Sequence, residues 1–146
     1  MEIPLNIQWI PAEKLQIILP LVNMLNDGRI AMEILENRLA EMIPMGYKCF
    51  GVFDQEKLIG VCGVWILNKL YAGKHVEPDN VIIHPEYQGK GVGNLMMEFL
   101  FTYAKEIGCE RTEVNCYMKN ERGKKFWESH GYVTLGYHLI KKFENE

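Results

Sequence analysis

The chain has 146 residues, of which 48% are hydrophobic and 24% are charged, and its formal net charge at pH 7 is −3. These values are those of an ordinary globular protein with its own hydrophobic core, and the length predicts a single domain over residues 1–146. The slight excess of negative charge gives no support to nucleic-acid binding, which usually requires a basic face.

Membrane and targeting segments are not predicted either. No apolar run is long enough to span a bilayer, and the first four residues lack the basic start and apolar run of a signal peptide. The cysteines, at positions 49, 62, 109 and 116, form no C-x-x-C pair, so neither a zinc site nor a redox motif is indicated. We therefore expect a cytoplasmic protein with reduced, mostly buried thiols.

The N-terminal third predicts one strand and two helices. Apolar and polar residues alternate over Leu5–Trp9, which predicts a strand. Pro11 marks the start of a helix, and Pro20 should kink that helix because proline has no N–H group to donate. Apolar residues at three- and four-residue spacing predict a second helix over 31–42.

A hairpin of two antiparallel strands is predicted next. Its strands cover Tyr47–Phe53 and Leu58–Leu67, and a polar four-residue break joins them. The second strand is almost entirely apolar, so it should be a central strand that is covered on both faces. Gly60 and Gly63 leave room in it for the close approach of another backbone or of a helix.

A long strand over Tyr71–Ile83 leads into the most informative stretch of the sequence. Pro78 interrupts this strand and predicts a bulge or an unpaired stretch at that point. After Pro85, glycines recur at positions 89, 91 and 93, and apolar spacing predicts a helix from Val92 that ends at Gly108. Such a loop directs free N–H groups and the positive end of a helix dipole at one spot, which suits a phosphate.

The spacing of the glycines shows which of the known types of phosphate-binding loop this sequence can match. The dinucleotide fingerprint needs a third glycine where Asn94 stands, and the ATP-binding loop needs a Gly-Lys-Ser/Thr triplet that is absent. The pattern that remains, Gln88-x-x-Gly91-x-Gly93, resembles the signature of the GNAT superfamily of acetyl-CoA-dependent N-acetyltransferases. The alternative is a glycine-rich turn that binds no ligand.

A second family element follows the long helix. Thr112–Tyr117 is predicted to be the fifth strand, and Leu135–Phe143 the last one. Between them, Asn120 can cap a short helix that stops at Gly131. This segment is similar to the GNAT pattern of Asn, a short helix, an aromatic-Tyr-Glu triplet and then Gly-aromatic.

The resemblance runs from about Tyr47 to Phe143 and implies an α/β (α+β) fold. The expected GNAT fold has a mixed, mostly antiparallel sheet of about six to seven strands, with about four flanking helices. It splays between the fourth and fifth strands, where the pantetheine arm of coenzyme A pairs with exposed strand amides. The cofactor-binding residues that the resemblance implies are Val81, Ile82, Ile83, Gln88, Gly89, Lys90, Gly91, Val92, Gly93, Asn94, Asn120 and Trp127.

Acetyl transfer requires an amine that loses its proton, a stabilised carbonyl oxygen and a thiolate that leaves. The resemblance implies acetyl-CoA as co-substrate and direct attack in a ternary complex, with no metal. The acceptor would be a primary amine of a small molecule or an exposed protein amine. A backbone N–H of the fourth strand, that of Ile83 or a near neighbour, would polarise the carbonyl.

Two carboxylates are candidate catalytic bases. Asp79 lies four residues before Ile83, on the same strand face if pairing is regular, and it aligns with an acidic position common in the family. Glu77 is the substitute if Pro78 shifts the register. The alternative is that both are solvated carboxylates beside a proline turn, since structural charges outnumber catalytic ones.

The sequence departs from the family at the position of the general acid. Many members have a tyrosine there, whereas this chain has Trp127, whose indole N–H can donate a hydrogen bond but cannot release a proton. Tyr117 and Tyr132 are possible replacements. The tryptophan also leaves open a second function, a catalytically weak coenzyme A-binding sensor or regulatory module. The last strand could support a homodimer.

Overall fold

The computed structural model describes residues 4–144, which form two compact units, one ending at Thr112 and one beginning at Glu113. The first unit contains five strands: β1 (Leu5–Trp9), β2 (Lys48–Asp54), β3 (Lys57–Lys69), β4 (Gly73–Ile83) and β5 (Arg111–Thr112). Its α-helices are α1 (Leu19–Leu25), α2 (Met32–Met42) and α3 (Val92–Glu106), and the second unit contains α4 (Glu121–Ser129). Short 3₁₀ helices cover Ala12–Ile18 and Pro85–Tyr87.

The strands form one mixed sheet in the order β1-β2-β3-β4-β5, antiparallel except for the parallel pair β4–β5. The predicted hairpin is confirmed as β2 and β3. The sheet has five strands rather than six to seven, because residues 113–144 contain no strand. The fifth strand itself is short and covers only Arg111–Thr112. The predicted strand at Leu135–Phe143 is therefore wrong. Alternation along a sequence supplies a strand pattern but not the ladder partner that a strand requires.

Pro20 begins a helix instead of kinking one. It lies in the first turn of α1, directly after the 3₁₀ helix Ala12–Ile18. A proline is tolerated there because the N–H groups of a first turn have no partner within the helix. Within residues 4–144, none of the helices combines the length and the apolar character that a membrane crossing requires.

Helices cover both faces of the sheet. On one face, which we call the α1/α2 face, Tyr47, Val61 and Trp65 pack with residues of both helices in a continuous hydrophobic cluster. On the other face lies α3, where the ring of Phe99 is 4.6 Å from that of Phe50. Because side chains alternate along each strand, β2 and β3 contribute apolar residues to both layers.

The cysteines are only partly as predicted. Cys49 and Cys62 are fully buried, and burial raises the pKa of the Cys49 thiol to about 12 and raises that of Cys62. Such thiols behave as small apolar side chains rather than as nucleophiles. Cys116, however, is exposed.

We expect Gly63→Ala to lower the free energy of unfolding by about 1–3 kcal/mol through overpacking. A Cβ atom at Gly63 would collide with the Tyr47 side chain and lie 2.6 Å from the carbonyl oxygen of Asp79. Gly60→Ala is the matched control in the same strand, since its Cβ would lie 3.4 Å from Met96 Sδ. Its effect should stay within about 1 kcal/mol. Urea denaturation of both variants tests this, and equal stabilities would contradict the close packing at Gly63.

Candidate active site

The strand β4 carries a bulge at Asn80–Val81, where two of its residues lie opposite one residue of β3. Asn80 has a φ of +55°, a left-handed value that asparagine adopts more readily than most residues. The bulge predicted at Pro78 therefore lies two residues later, and Pro78 itself pairs with Val64. Pro78 is tolerated because this part of β4 has a neighbouring strand on one side only.

The bulge changes which side chains share a face. Side chains alternate along a regular strand, so Asp79 and Ile83 would lie on one face without it. The register instead pairs Asp79 with Gly63, and Ile83 with Gly60. Since the two glycines are three residues apart on β3, Asp79 faces α1 and α2, whereas Ile83 faces α3. The pairing of β4 with β3 is therefore not regular, and the expectation that Asp79 and Ile83 share a face is wrong.

The outer edge of β4 is paired over only a short stretch. The β5 strand is hydrogen-bonded to it only at His75 and Val76. From Glu77 to Ile83, β4 therefore has β3 on one side and no ladder on the other within the described sheet. We call this stretch the free edge. An unpaired edge of this kind on β4 is what the predicted splay between the fourth and fifth strands requires.

The last residue of the free edge directs its backbone outward. His84 donates its N–H to the carbonyl oxygen of Ile59 at 2.8 Å, so its neighbour Ile83 forms a non-hydrogen-bonded pair with β3. The N–H and C=O of Ile83 therefore point to the free edge. In agreement, the Ile83 carbonyl accepts a hydrogen bond from Gln88 Nε2 at 3.0 Å.

The glycine loop follows and fits a diphosphate. Gly89 and Gly91 have φ values of +75° and +84°, and the space that a Cβ would occupy at either position is open. Gly91 is the N-cap of α3, so the N–H groups of the first helical turn point out of the helix beside it. Backbone donors, a helix N-terminus and bare glycines together suit the pyrophosphate of coenzyme A.

A tyrosine ties the loop to the β2–β3 turn. Tyr87 donates its hydroxyl to Asp54 at 2.5 Å, and this hydrogen bond raises the pKa of Tyr87. The ammonium groups of Lys57 and Lys90 each lie 5.6 Å from the centre of the Tyr87 ring. Lys57 Nζ also lies 3.5 Å from Oε2 of Glu86, which balances its charge, so Lys90 is the charge that favours an anion at the loop. The sequence predicted Lys90 here, but nothing in the pattern of the turn identified Lys57 or Asp54.

Both candidate bases lie on the α1/α2 face, and each has its own hydrogen-bond partner. Asp79 Oδ2 accepts a hydrogen bond from Trp65 Nε1 at 2.9 Å, and Glu77 Oε2 lies 3.1 Å from Nε2 of His75. Both carboxylates are half-buried, so they are not the freely solvated groups of the alternative interpretation. The sequence analysis missed Trp65 and His75. Positions 75, 77 and 79 are two residues apart, so a strand places them on one face, and this spacing could have identified His75 as a neighbour of Glu77.

Tyr47 supports the bulge and is not a candidate general acid. Its hydroxyl donates to Asn80 Oδ1 at 3.1 Å. Burial raises the pKa of Tyr47 far above its ordinary value, so it remains protonated at neutral pH. This hydrogen bond fixes the side chain of Asn80, the residue of the bulge that has the left-handed backbone.

Two of the predicted cofactor-binding residues lie in the second unit. Asn120 caps α4 as predicted, with its Oδ1 accepting the N–H of Gly123 at 2.9 Å. Trp127 is half-buried, with its ring 5.0 Å from that of Phe126 and 5.2 Å from that of Tyr132. The binding of coenzyme A by Asn120 and Trp127 rests on the sequence pattern and stays a prediction.

Comparisons with known proteins agree on one family. The profile described as the Acetyltransferase (GNAT) family matches residues 23–132. Over 72 residues the chain is 28% identical to glucosamine 6-phosphate N-acetyltransferase of Arabidopsis thaliana. The aligned residues make up 49% of this chain and 46% of that relative. A probable glucosamine 6-phosphate N-acetyltransferase of Drosophila melanogaster is 32% identical over 57 residues, or 39% of this chain and 25% of the relative. The matches thus span less than half the length of either relative.

The structural comparison covers nearly the whole chain. The crystal structure of the Arabidopsis thaliana glucosamine-6-phosphate N-acetyltransferase superposes with a TM-score of 0.72 at 22% identity, covering 97% of this chain and 99% of that one. At this identity the likeness shows a shared fold. The family profile includes β2, β3, β4, the glycine loop and α3, which are the elements that build the site described above. The chain therefore belongs to the GNAT family of acetyltransferases.

Proposed function

We propose that this protein transfers the acetyl group of acetyl-CoA to a primary amine by direct attack in a ternary complex. The observation that carries the proposal is the continuity of two binding surfaces. The free edge over Glu77–Ile83 leads directly into the glycine loop at Gln88–Asn94. An extended pantetheine arm would pair with the first as an added strand, and the diphosphate would bind the second.

The reaction forms an N–C bond, breaks the C–S bond and releases coenzyme A as a thiolate. The N–H of Ile83 points to the free edge, where it can donate to the thioester carbonyl as negative charge develops on the oxygen. Asp79 takes the proton of the amine, directly or through water. The Trp65 hydrogen bond fixes Oδ2 of Asp79 and leaves Oδ1 to face the acceptor.

The acceptor is a primary amine of a small molecule or an exposed protein amine. Glucosamine 6-phosphate is the first compound to test, because it appears in the names of both relatives. The tryptophan at position 127 favours a second function, a coenzyme A-binding module with weak catalysis, because indole cannot replace an acidic tyrosine.

An amine panel separates these two functions. Purified protein would be mixed with acetyl-CoA and with glucosamine 6-phosphate, spermidine, kanamycin or a peptide with a free N-terminus. Mass spectrometry would then detect the acetylated product. We expect turnover of at least one amine well above the rate of acetyl-CoA hydrolysis. Tight binding of acetyl-CoA by calorimetry without any turnover would favour the binding module instead.

Variants of Gly91 test the glycine loop. Asparagine and aspartate have the same shape and tolerate left-handed backbone similarly, so Gly91→Asn and Gly91→Asp differ mainly in charge. A negative group beside the diphosphate should raise the Kd for acetyl-CoA on the order of 100-fold, while the neutral variant stays within about tenfold of wild type. Calorimetry on folded protein measures both. Equal affinities for the two variants would mean that the diphosphate binds elsewhere.

Replacement of Asp79 by asparagine tests the base. The variant keeps an oxygen acceptor for Trp65 but loses the ability to take a proton, so kcat should fall roughly 100-fold or more. The KM for acetyl-CoA should remain near that of wild type, because the loop and the free edge are unchanged. Glu77→Gln is the matched control on the same face of β4, and its kcat should stay within about threefold of wild type. A wild-type kcat in Asp79→Asn would show that solvent removes the proton.

A further inference from the structure

His75 is an unusual core residue. Among residues 4–144, it is the only histidine, lysine, arginine or carboxylate side chain that is buried, with no exposed surface. Buried polar side chains require hydrogen-bond partners, and His75 has one at each ring nitrogen. Nδ1 lies 3.1 Å from the carbonyl oxygen of Gly73, and Nε2 lies 3.1 Å from Oε2 of Glu77.

The chemistry of these partners determines where the protons lie. The Gly73 carbonyl can only accept, so Nδ1 of His75 must carry a hydrogen. A neutral ring with its hydrogen on Nδ1 would present a lone pair from Nε2 to the Glu77 carboxylate. The 3.1 Å contact is a hydrogen bond only if a proton lies between Nε2 and Oε2. The contact therefore holds the Glu77 carboxylate against the buried ring, whichever of the two atoms carries the proton.

The two carboxylates of the α1/α2 face thus have different partners. Asp79 receives its hydrogen bond from Trp65, an indole that cannot transfer a proton, so nothing in that contact neutralises a charge on Asp79. Glu77 is held by a ring nitrogen of the fully buried His75. Glu77 is also the first residue of the free edge, because the pairing of β4 with β5 ends at Val76. Its side chain is 22% exposed, so a ligand in the gap can reach it.

We propose that His75 is a positioning residue that holds the Glu77 carboxylate in place to bind the amine acceptor, which leaves proton removal to Asp79. The inference rests on the proposed acetyltransferase function. It gives acceptor binding to Glu77 and proton removal to Asp79. Glu77 lies two residues, roughly 7 Å of extended strand, farther from Ile83 than Asp79 does. From there it contacts a donor group of the acceptor, an ammonium or a hydroxyl, rather than the nitrogen that is acetylated.

The test separates acceptor binding from chemistry. It uses the full chain, acetyl-CoA and the panel amine with the highest kcat/KM. His75→Leu and Glu77→Gln should each raise the KM for the amine by roughly tenfold to 100-fold, as the loss of a hydrogen bond to a charged group would. Their kcat and their KM for acetyl-CoA should stay within about threefold of wild type. The double variant should be no worse than Glu77→Gln alone, because His75 acts only through Glu77.

A conservative variant guards against loss of folding. In His75→Gln the side-chain amide can still donate to Glu77, so the KM for the amine should return to within about threefold of wild type. Unchanged amine KM in Glu77→Gln would overturn the inference, even if the His75 variants do not fold. Additive effects in the double variant would overturn it too, as would a fall in kcat as large as that of Asp79→Asn. If the wild-type protein acetylates no amine, the proposed function itself fails, which is a distinguishable result.

Discussion

One extra residue in β4 sets the geometry on which the whole site depends. Before the bulge at Asn80–Val81, alternate side chains of the strand face α1 and α2 and include both candidate carboxylates. After the bulge, the alternation is reversed and Ile83 directs its N–H and C=O to the free edge. A regular strand would place the side chains of Asp79 and Ile83 on the same face.

The surrounding structure is arranged to hold this irregularity. A left-handed asparagine costs about 1–3 kcal/mol, and the hydrogen bond from Tyr47 offsets about 0.5–1.5 kcal/mol of it. Gly63 on β3 makes that hydrogen bond possible, because any side chain there would occupy the position of the Tyr47 ring. Tyr47 in turn packs on Trp65, with ring centres 5.2 Å apart, and Trp65 holds Asp79. The bulge, the buried tyrosine and the candidate base therefore form one connected unit.

Much of this architecture is predictable because it is encoded locally. The boundaries of β1 and α3 follow from alternation and from helical spacing. The position of the glycine loop follows from the glycines themselves, which have no side chain. Features that depend on a partner far away in sequence were not predictable. The apolar alternation over Leu135–Phe143 does not show whether that segment finds a strand to pair with. The presence of Pro78 does not show that β4 lacks a second neighbouring strand at that residue. His75 was missed because burial and the contact with Glu77 appear only once the sheet is folded.

The central claim is that the free edge of β4 receives the pantetheine arm and brings the thioester to Ile83. A crystal structure with acetyl-CoA bound tests it most directly. We expect the arm to pair with the backbone between Glu77 and Ile83, the diphosphate to lie on the glycine loop, and the thioester oxygen to lie about 3 Å from the N–H of Ile83. A structure in which this edge is occupied by a strand, with acetyl-CoA bound at another surface, would contradict the account.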